Sequence, residues 1–345
     1  MEIKEAIIKI KEGKNLKREE AYEVFKKIAT ENFDDAEVEE LLVSLRQKGE
    51  TWEEIAGAAQ AYREIMTPLP HSLPESAIIV DTCGTGGDKK NTFNFSTAVA
   101  IALSAEDGIH VAKHGNRSVS SKCGSADLIE YLGIPLNLPP EASAEALHEI
   151  GFTFIYAPLY HQAFKKVASI RKKIGRSIFN ILGPLLNPAK PNYQLLGVFD
   201  FLLTEKMAYV LDALGVKRAL VVFGEGVFDE ITVTGSTKIS ELRDEKITTY
   251  YVDPENFGFE RCEEFEELQG NDVKKNKEIL EKLFKGELEG PIRDMFIMNL
   301  GGALYLCGKA IDFKAGIKRA SELLDSGRIW EKWQEIQKYY KKFNL

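Results

Sequence analysis

The chain has 345 residues, 44% of them hydrophobic and 28% charged, which excludes a disordered class and supplies enough apolar material for a sizeable core and two domains. A net charge of -8 argues against nucleic acid as a partner, because affinity for a phosphate backbone rests on clustered cations. Cys83, Cys123, Cys262 and Cys307 lack C-x-x-C pairing, against a zinc site or disulfide framework, and no apolar run forms a leader or a membrane span, so a cytoplasmic chain is expected.

Residues 1 to about 67 are predicted to be helical. Ala21, Val24, Phe25 and Ile28 mark one apolar face, and Val38, Leu41, Leu42 and Leu45 another that stops at Gly49. Thr51-Trp52-Glu53-Glu54 opens a third helix as a capping box. Pro68, Pro70 and Pro74 then form a stiff break, the expected hinge to a second domain. Beyond it, strands and helices alternate. Strands are expected at 77–80, 109–112, 152–156, 194–199 and 219–223, with two β-like segments at 237–242 and 247–252. Helices are expected at 98–103 (capped by Ser96-Thr97), 125–132, 141–149 and, unbroken, 160–174. The proline-broken run 180–188 reads as a connection between domains, and 330–343 as a solvated terminal helix. The pattern is α/β with a mostly parallel sheet, preceded by a small helical domain.

Three constellations carry chemistry. Asp81-Thr-Cys-Gly84-Thr-Gly-Gly87-Asp88 joins a buried strand to a helix, the arrangement that turns backbone N–H groups toward an anion. It fits neither the P-loop nor the dinucleotide fingerprint, and an ordinary tight βα turn is the competing reading. Lys113-His114-Gly115-Asn116-Arg117-Ser118-Val119-Ser120-Ser121, followed by Gly124-Ser125, reads as a second anion-binding loop with Ser125 as a helix cap. Strand ends of a parallel sheet open on one crevice, so both loops can face one ligand; a merely polar surface loop is the alternative. Asp229-Glu230 follows a strand and a glycine turn, suited to magnesium bridged to phosphates or, more blandly, to solvent. His161 and Arg171 fall on one face of the expected helix, where Arg171 can pair with a carboxylate or sit in a surface ion pair. His110 and His148 read as structural.

In order, these motifs, with Asn94-Phe-Ser96-Thr97 and Phe179-Asn-Ile-Leu-Gly183-Pro184-Leu-Leu-Asn187-Pro188, resemble the anthranilate phosphoribosyltransferase family of tryptophan biosynthesis. The resemblance implies a fold like the nucleoside phosphorylases. A helical domain would span 1–70 with a returning segment near 171–190, and an α/β phosphoribosyl-binding domain would span 75–170 and 191–345. It implies a homodimer joined through the helical domain, with anthranilate and 5-phosphoribosyl 1-diphosphate as substrates and Mg²⁺ as cofactor. Carried over by position, Gly84, Gly87, Asp88, Thr92, Asn94, Ser96, Thr97, Lys113, Ser121 and Ser125 would surround the phosphoribosyl diphosphate. Gly84, His114, Asn116, His161, Arg171 and Gly183 would meet anthranilate, and Ser96, Asp229 and Glu230 would hold the metal. His114 would handle a proton, and Lys113 would act mainly through its charge.

The chain departs from the family pattern where His-Pro-Ala-Met becomes His161-Gln162-Ala163-Phe164, and where Gly-x-Arg-Thr shortens to Gly175-Arg176-Ser177. Both changes flank the acceptor channel. Two other readings are a pyrimidine nucleoside phosphorylase, which Asp229-Glu230 disfavours, and a nucleic-acid-binding paralogue, which the acidic charge disfavours.

Overall fold

The computed structural model describes residues 1–86, 90–118 and 122–343. Four helices open the chain: α1 (Ile3–Lys11), α2 (Arg18–Thr30), α3 (Asp35–Lys48) and α4 (Trp52–Ile65). The faces read from periodicity are the ones buried, with Val24, Phe25, Leu41 and Leu45 fully enclosed. The capping box at Thr51 forms as expected, and its Glu54 does more than cap. Wholly buried, this carboxylate also accepts the Leu16 N–H (2.8 Å) and the Lys48 ammonium (2.9 Å), tying α4 to the loop before α2 and to the end of α3.

After the proline break, β1 (Ile78–Asp81), α5 (Phe95–Leu103), β2 (Ile109–Gly115), α6 (Ser125–Tyr131), α7 (Pro140–Glu149) and β3 (Phe152–Tyr156) build one half of the sheet. The chain then runs through α8 (Ala157–Tyr160), a 3₁₀ segment (Gln162–Val167), α9 (Ala168–Ile174), α10 (Phe179–Leu182) and a 3₁₀ turn (Gly183–Leu185). It returns to the sheet as β4 (Tyr193–Gly197), α11 (Leu203–Ala213), β5 (Arg218–Gly224), β6 (Thr237–Arg243) and β7 (Lys246–Val252). Helices α12 (Val273–Phe284), α13 (Pro291–Leu306), α14 (Phe313–Asp325) and α15 (Arg328–Tyr340) complete the described chain.

The sheet has the order β3-β2-β1-β4-β5-β6-β7, parallel from β3 to β5 and antiparallel beyond, so the mostly parallel expectation holds. The chain moves outward from β1 to β2 and β3, then crosses back to place β4 on the other side of β1. That reversal opens a crevice beyond the carboxyl ends of β1 and β4, where ligands of open α/β sheets bind.

Four local readings need correction. The single helix expected over 160–174 is three pieces, because the backbone leaves helical geometry at His161 (φ -115, ψ 61). Asn94, not Ser96-Thr97, stands at the cap of α5, and Gly124, not Ser125, at the cap of α6; Ser96 and Ser125 lie inside the first turns. Strand β2 runs three residues beyond Ala112, so Lys113 and His114 are strand residues and not loop residues. Helix α15 is not simply solvated: it buries Ile329, Trp333, Ile336 and Tyr340, and the Tyr340 hydroxyl donates to the Phe152 carbonyl (3.2 Å).

The turn after β5 carries a strained residue. Val227 sits at φ 68 and is 45% exposed, between Gly226 and the Phe228 N–H that closes the turn on Gly224 (3.1 Å). A β-branched residue in the left-handed region costs about 1–2 kcal/mol. Val227→Asn is therefore expected to raise stability by about 1 kcal/mol in urea unfolding, and a loss of stability would show that the valine side chain makes up for its backbone.

Candidate active site

Three loops meet at the crevice because small residues let them. A Cβ on Gly197, the last residue of β4, would lie 1.5 Å from the Asp229 carbonyl oxygen, and one on Gly84 would lie 2.8 Å from Asp229 Oδ2. The Gly86 N–H donates to that same carboxylate oxygen (2.9 Å), and the Thr85 N–H donates to the Gly197 carbonyl (2.8 Å). The glycine loop, the end of β4 and the Asp229-Glu230 segment thus form one wall.

The opposite side is organised by Asp81, a fully buried carboxylate at the end of β1. Its Oδ1 accepts the N–H groups of Cys83 (3.0 Å) and His114 (3.2 Å), and its Oδ2 accepts Asn187 Nδ2 (2.8 Å). Asn187 Nδ2 donates again to the Ala112 carbonyl (2.7 Å). One carboxylate therefore fixes the glycine loop, β2 and the 183–188 connection together. Burial pushes its pKa up, while nearby Lys113 and its hydrogen bonds hold it down. Lys113, 2% exposed, donates its ammonium to the carbonyls of Thr82 (3.4 Å) and His114 (3.3 Å) at the floor of the crevice. Asp81, Cys83 and His114 also bring potential metal-ligand atoms within 4.8 Å of one another. They suit a metal centre poorly, because both Asp81 oxygens are already engaged in hydrogen bonds.

The resulting cleft encloses about 820 Å³. Of the residues singled out from the sequence, Gly84, Thr92, Asn94, Ser96, Lys113, His114, Asn116, Ser125, Arg171, Gly183, Asp229 and Glu230 line it. Gly87, Asp88 and Ser121 lie outside the described residues. Thr97 does not face the cleft; it is wholly buried inside the first turn of α5. His161 stands behind the wall, its Nε2 3.1 Å from His114 Nε2. Asn94 is held by its N–H to Asn276 Oδ1 (2.9 Å) on α12, a partner that no local signal in the sequence indicated.

Arg171 and His161 come together by packing and not by a shared helix face. The Arg171 guanidinium lies 5.5 Å from the ring centres of both Phe164 and Phe179, and Tyr62 of α4 closes the box at 5.0 Å from Phe164 and 5.6 Å from Phe179. His161 packs against the Phe164 ring at 5.7 Å. Among the described residues Arg171 forms no ion pair, so the surface salt-bridge reading fails. Burial lowers its pKa, as expected for a guanidinium drawn partly out of water without a counter-charge.

The His114–His161 contact requires a neutral ring as its acceptor, and burial favours the neutral form of both rings. Burial, with His161 and Lys113 adding to it, holds His114 well below the usual imidazole range; burial alone lowers His161 to about 4. Each depressed value means that the unfolded state takes up the proton first. Stability is then full above about pH 6.5 and falls as pH drops toward 4, by up to about 3 kcal/mol for His161. Melting curves at a series of pH values should show a shallower decline over that window in His161→Asn than in the parent, and equal slopes would contradict the neutral pair.

Known proteins match this chain over nearly its whole length. A model of the glycosyl transferase family a/b domain matches residues 76–329, and one of the family's helical bundle domain matches 4–66. The anthranilate phosphoribosyltransferase of Desulfosudis oleivorans is 46% identical over 338 residues, covering 98% of both chains. That of Thermoanaerobacter sp. is 45% identical over 344 residues, covering 99% of this chain and 100% of its own. The chain belongs to the anthranilate phosphoribosyltransferase family.

Solved members superpose closely. The Thermus thermophilus anthranilate phosphoribosyltransferase gives a TM-score of 0.89 at 38% identity, covering 97% of this chain and 99% of that one. The Saccharomyces cerevisiae anthranilate phosphoribosyltransferase in complex with PRPP and Mg gives 0.88 at 27% identity, covering 99% and 98%. As a member of this family the chain is an enzyme, a glycosyltransferase. Among its described residues no helix is long and apolar enough to cross a membrane.

Proposed function

We propose that this chain transfers the 5-phosphoribosyl group from 5-phosphoribosyl 1-diphosphate to the amine of anthranilate, releasing diphosphate, in tryptophan biosynthesis. The observation that carries the reading is the pairing of two unlike subsites in one cleft. On one side stand the glycine loop, Lys113 and Asp229-Glu230; on the other, the half-buried Arg171 guanidinium waits over an aromatic box without a carboxylate partner among the described residues.

Around the phosphoribosyl diphosphate we place Gly84, Thr92, Asn94, Ser96, Lys113 and Ser125, with Gly87, Asp88 and Ser121 carried over from the family pattern. Magnesium suits Asp229, Glu230 and Ser96: the two adjacent carboxylates and the hydroxyl all line the cleft, burial raises the pKa of Asp229, and an all-oxygen donor set matches a hard cation. When bound, magnesium supplies neutralisation of the charge that gathers on the leaving diphosphate. The chain's own groups do the rest. Lys113 and the glycine-loop amides stabilise that charge from fixed positions, which avoids reorganisation during bond cleavage. Arg171 pairs with the anthranilate carboxylate and aims the amine at the ribose; Asn116 and Gly183 border the ring. The amine becomes acidic as it bonds to carbon, so a weak acceptor suffices. Neutral His114, with His161 behind it, can take up or pass that proton.

The helical unit, residues 1–70 with 171–190, would bear Arg171 and would form a homodimer contact, while 75–170 and 191–345 would bear the phosphoribosyl subsite. The test is a split in kinetic constants. Arg171→Ala should raise KM for anthranilate about 10- to 100-fold, the cost of a lost charge-assisted bidentate contact, while KM for the diphosphate substrate stays within a factor of about three. Equal rises in both constants would contradict the assignment.

A further inference from the structure

The shortened turn at Gly175-Arg176-Ser177 brings a second guanidinium to the cleft. Its backbone is fixed from the helical side: Arg46 Nη1 of α3 donates to the carbonyls of Ile174 (2.9 Å) and Arg176 (2.8 Å), across Gly175 at φ 73. The Ser177 N–H is accepted by Asn180 Oδ1 (2.9 Å), which closes the turn onto α10. The Arg176 side chain leaves this turn and lies on the Phe199 ring, its guanidinium carbon 3.9 Å from the ring centre. Phe199 follows β4, and its N–H donates to Thr85 Oγ1 (3.1 Å) in the glycine loop. A residue of the helical side therefore reaches across to a platform hydrogen-bonded to the phosphate-facing loop.

We infer that Arg176 binds the diphosphate-bearing substrate, as a second cation beside Lys113, and takes no part in holding anthranilate. This rests on the function proposed above. Geometry and charge support it. The two arginines of the segment stand on different platforms, Arg171 over Phe164 and Phe179, and Arg176 over Phe199 beside Thr85. If the two carboxylates of Asp229 and Glu230 are matched by a divalent ion, the remaining charge of a phosphorylated ribosyl diphosphate exceeds what Lys113 can neutralise; Arg176 supplies a further cation. Stacking on a ring fixes the guanidinium plane, so that its edge can turn to phosphate oxygens, a geometry lysine cannot reproduce.

Steady-state kinetics on Arg176→Ala, Arg176→Lys and Arg171→Ala would test this, with magnesium and each substrate varied in turn. Arg176→Ala should raise KM for 5-phosphoribosyl 1-diphosphate about 10- to 100-fold and weaken inhibition by inorganic diphosphate in parallel, with KM for anthranilate within a factor of about three. Arg176→Lys should recover part of the loss, because charge is kept while the stack and fork are lost. Arg171→Ala should give the opposite split. A rise confined to anthranilate, a parallel rise in both constants, or no change in either overturns the inference. Failure of the underlying reading would look different: the parent enzyme itself would consume no anthranilate.

Discussion

Replacing Asp229 by Asn together with Glu230 by Gln should reduce kcat/KM by about 10²- to 10³-fold and abolish most of the response to magnesium, while the protein stays folded. The substitution is chosen to change charge and little else. Asp229 Oδ2 accepts the Gly86 N–H, and the amide oxygen of Asn can accept the same bond, so the wall formed by the glycine loop, Gly197 and residue 229 stays in place. What is lost is the pair of anionic oxygens that suit a hard divalent ion. Initial rates over a magnesium titration measure it. A double variant that keeps a tenfold stimulation by magnesium would show that the ion is held elsewhere.

Asp81→Ala should cost about 3–5 kcal/mol of stability and more than a hundredfold in activity, although Asp81 touches no substrate in this account. The change leaves the N–H groups of Cys83 and His114 without their acceptor, takes from Asn187 Nδ2 one of its two acceptors, and removes a carboxylate that interacts with buried Lys113. It also unlinks the three segments that shape the cleft. Urea unfolding with activity measured on the folded fraction separates the two effects. A stability change under about 1 kcal/mol would mean that water or neighbouring groups replace the carboxylate, and that it is no hub.

The residues that make these expectations sharp were legible to different degrees. Apolar periodicity disclosed the four-helix start and most strands, because burial on one face imposes a period that survives in the sequence. The glycine loop and Asp229-Glu230 were visible as motifs, and the crevice now joins them directly through Gly86. Lys113 and His114 misled, since two polar residues before a glycine read as a loop; they are strand residues whose polar atoms find carbonyls and a carboxylate inside. The 160–174 region misled in the other direction: its composition suits one helix, yet the chain breaks where His161 packs on His114 and Phe164 on Tyr62. Tyr62, Phe164, Phe179 and Arg171 form one box from parts over a hundred residues apart, and Asn276 braces Asn94 from still farther away. No local pattern encodes such meetings. Asp81 and Asn187 lay within quoted motifs, but their role as a shared hydrogen-bond centre emerged only when β1, β2 and the connection were side by side.

In the proposed reaction one cleft joins a magnesium-dependent phosphoribosyl subsite to an anthranilate subsite. Anthranilate is fluorescent, and its consumption can be followed directly after 5-phosphoribosyl 1-diphosphate is added to the purified protein. That fluorescence should fall with magnesium present, change little or not at all after chelation, and fall again at the original rate when magnesium is restored. Unchanged fluorescence with folded protein and magnesium, or the same rate with and without the ion, would contradict it.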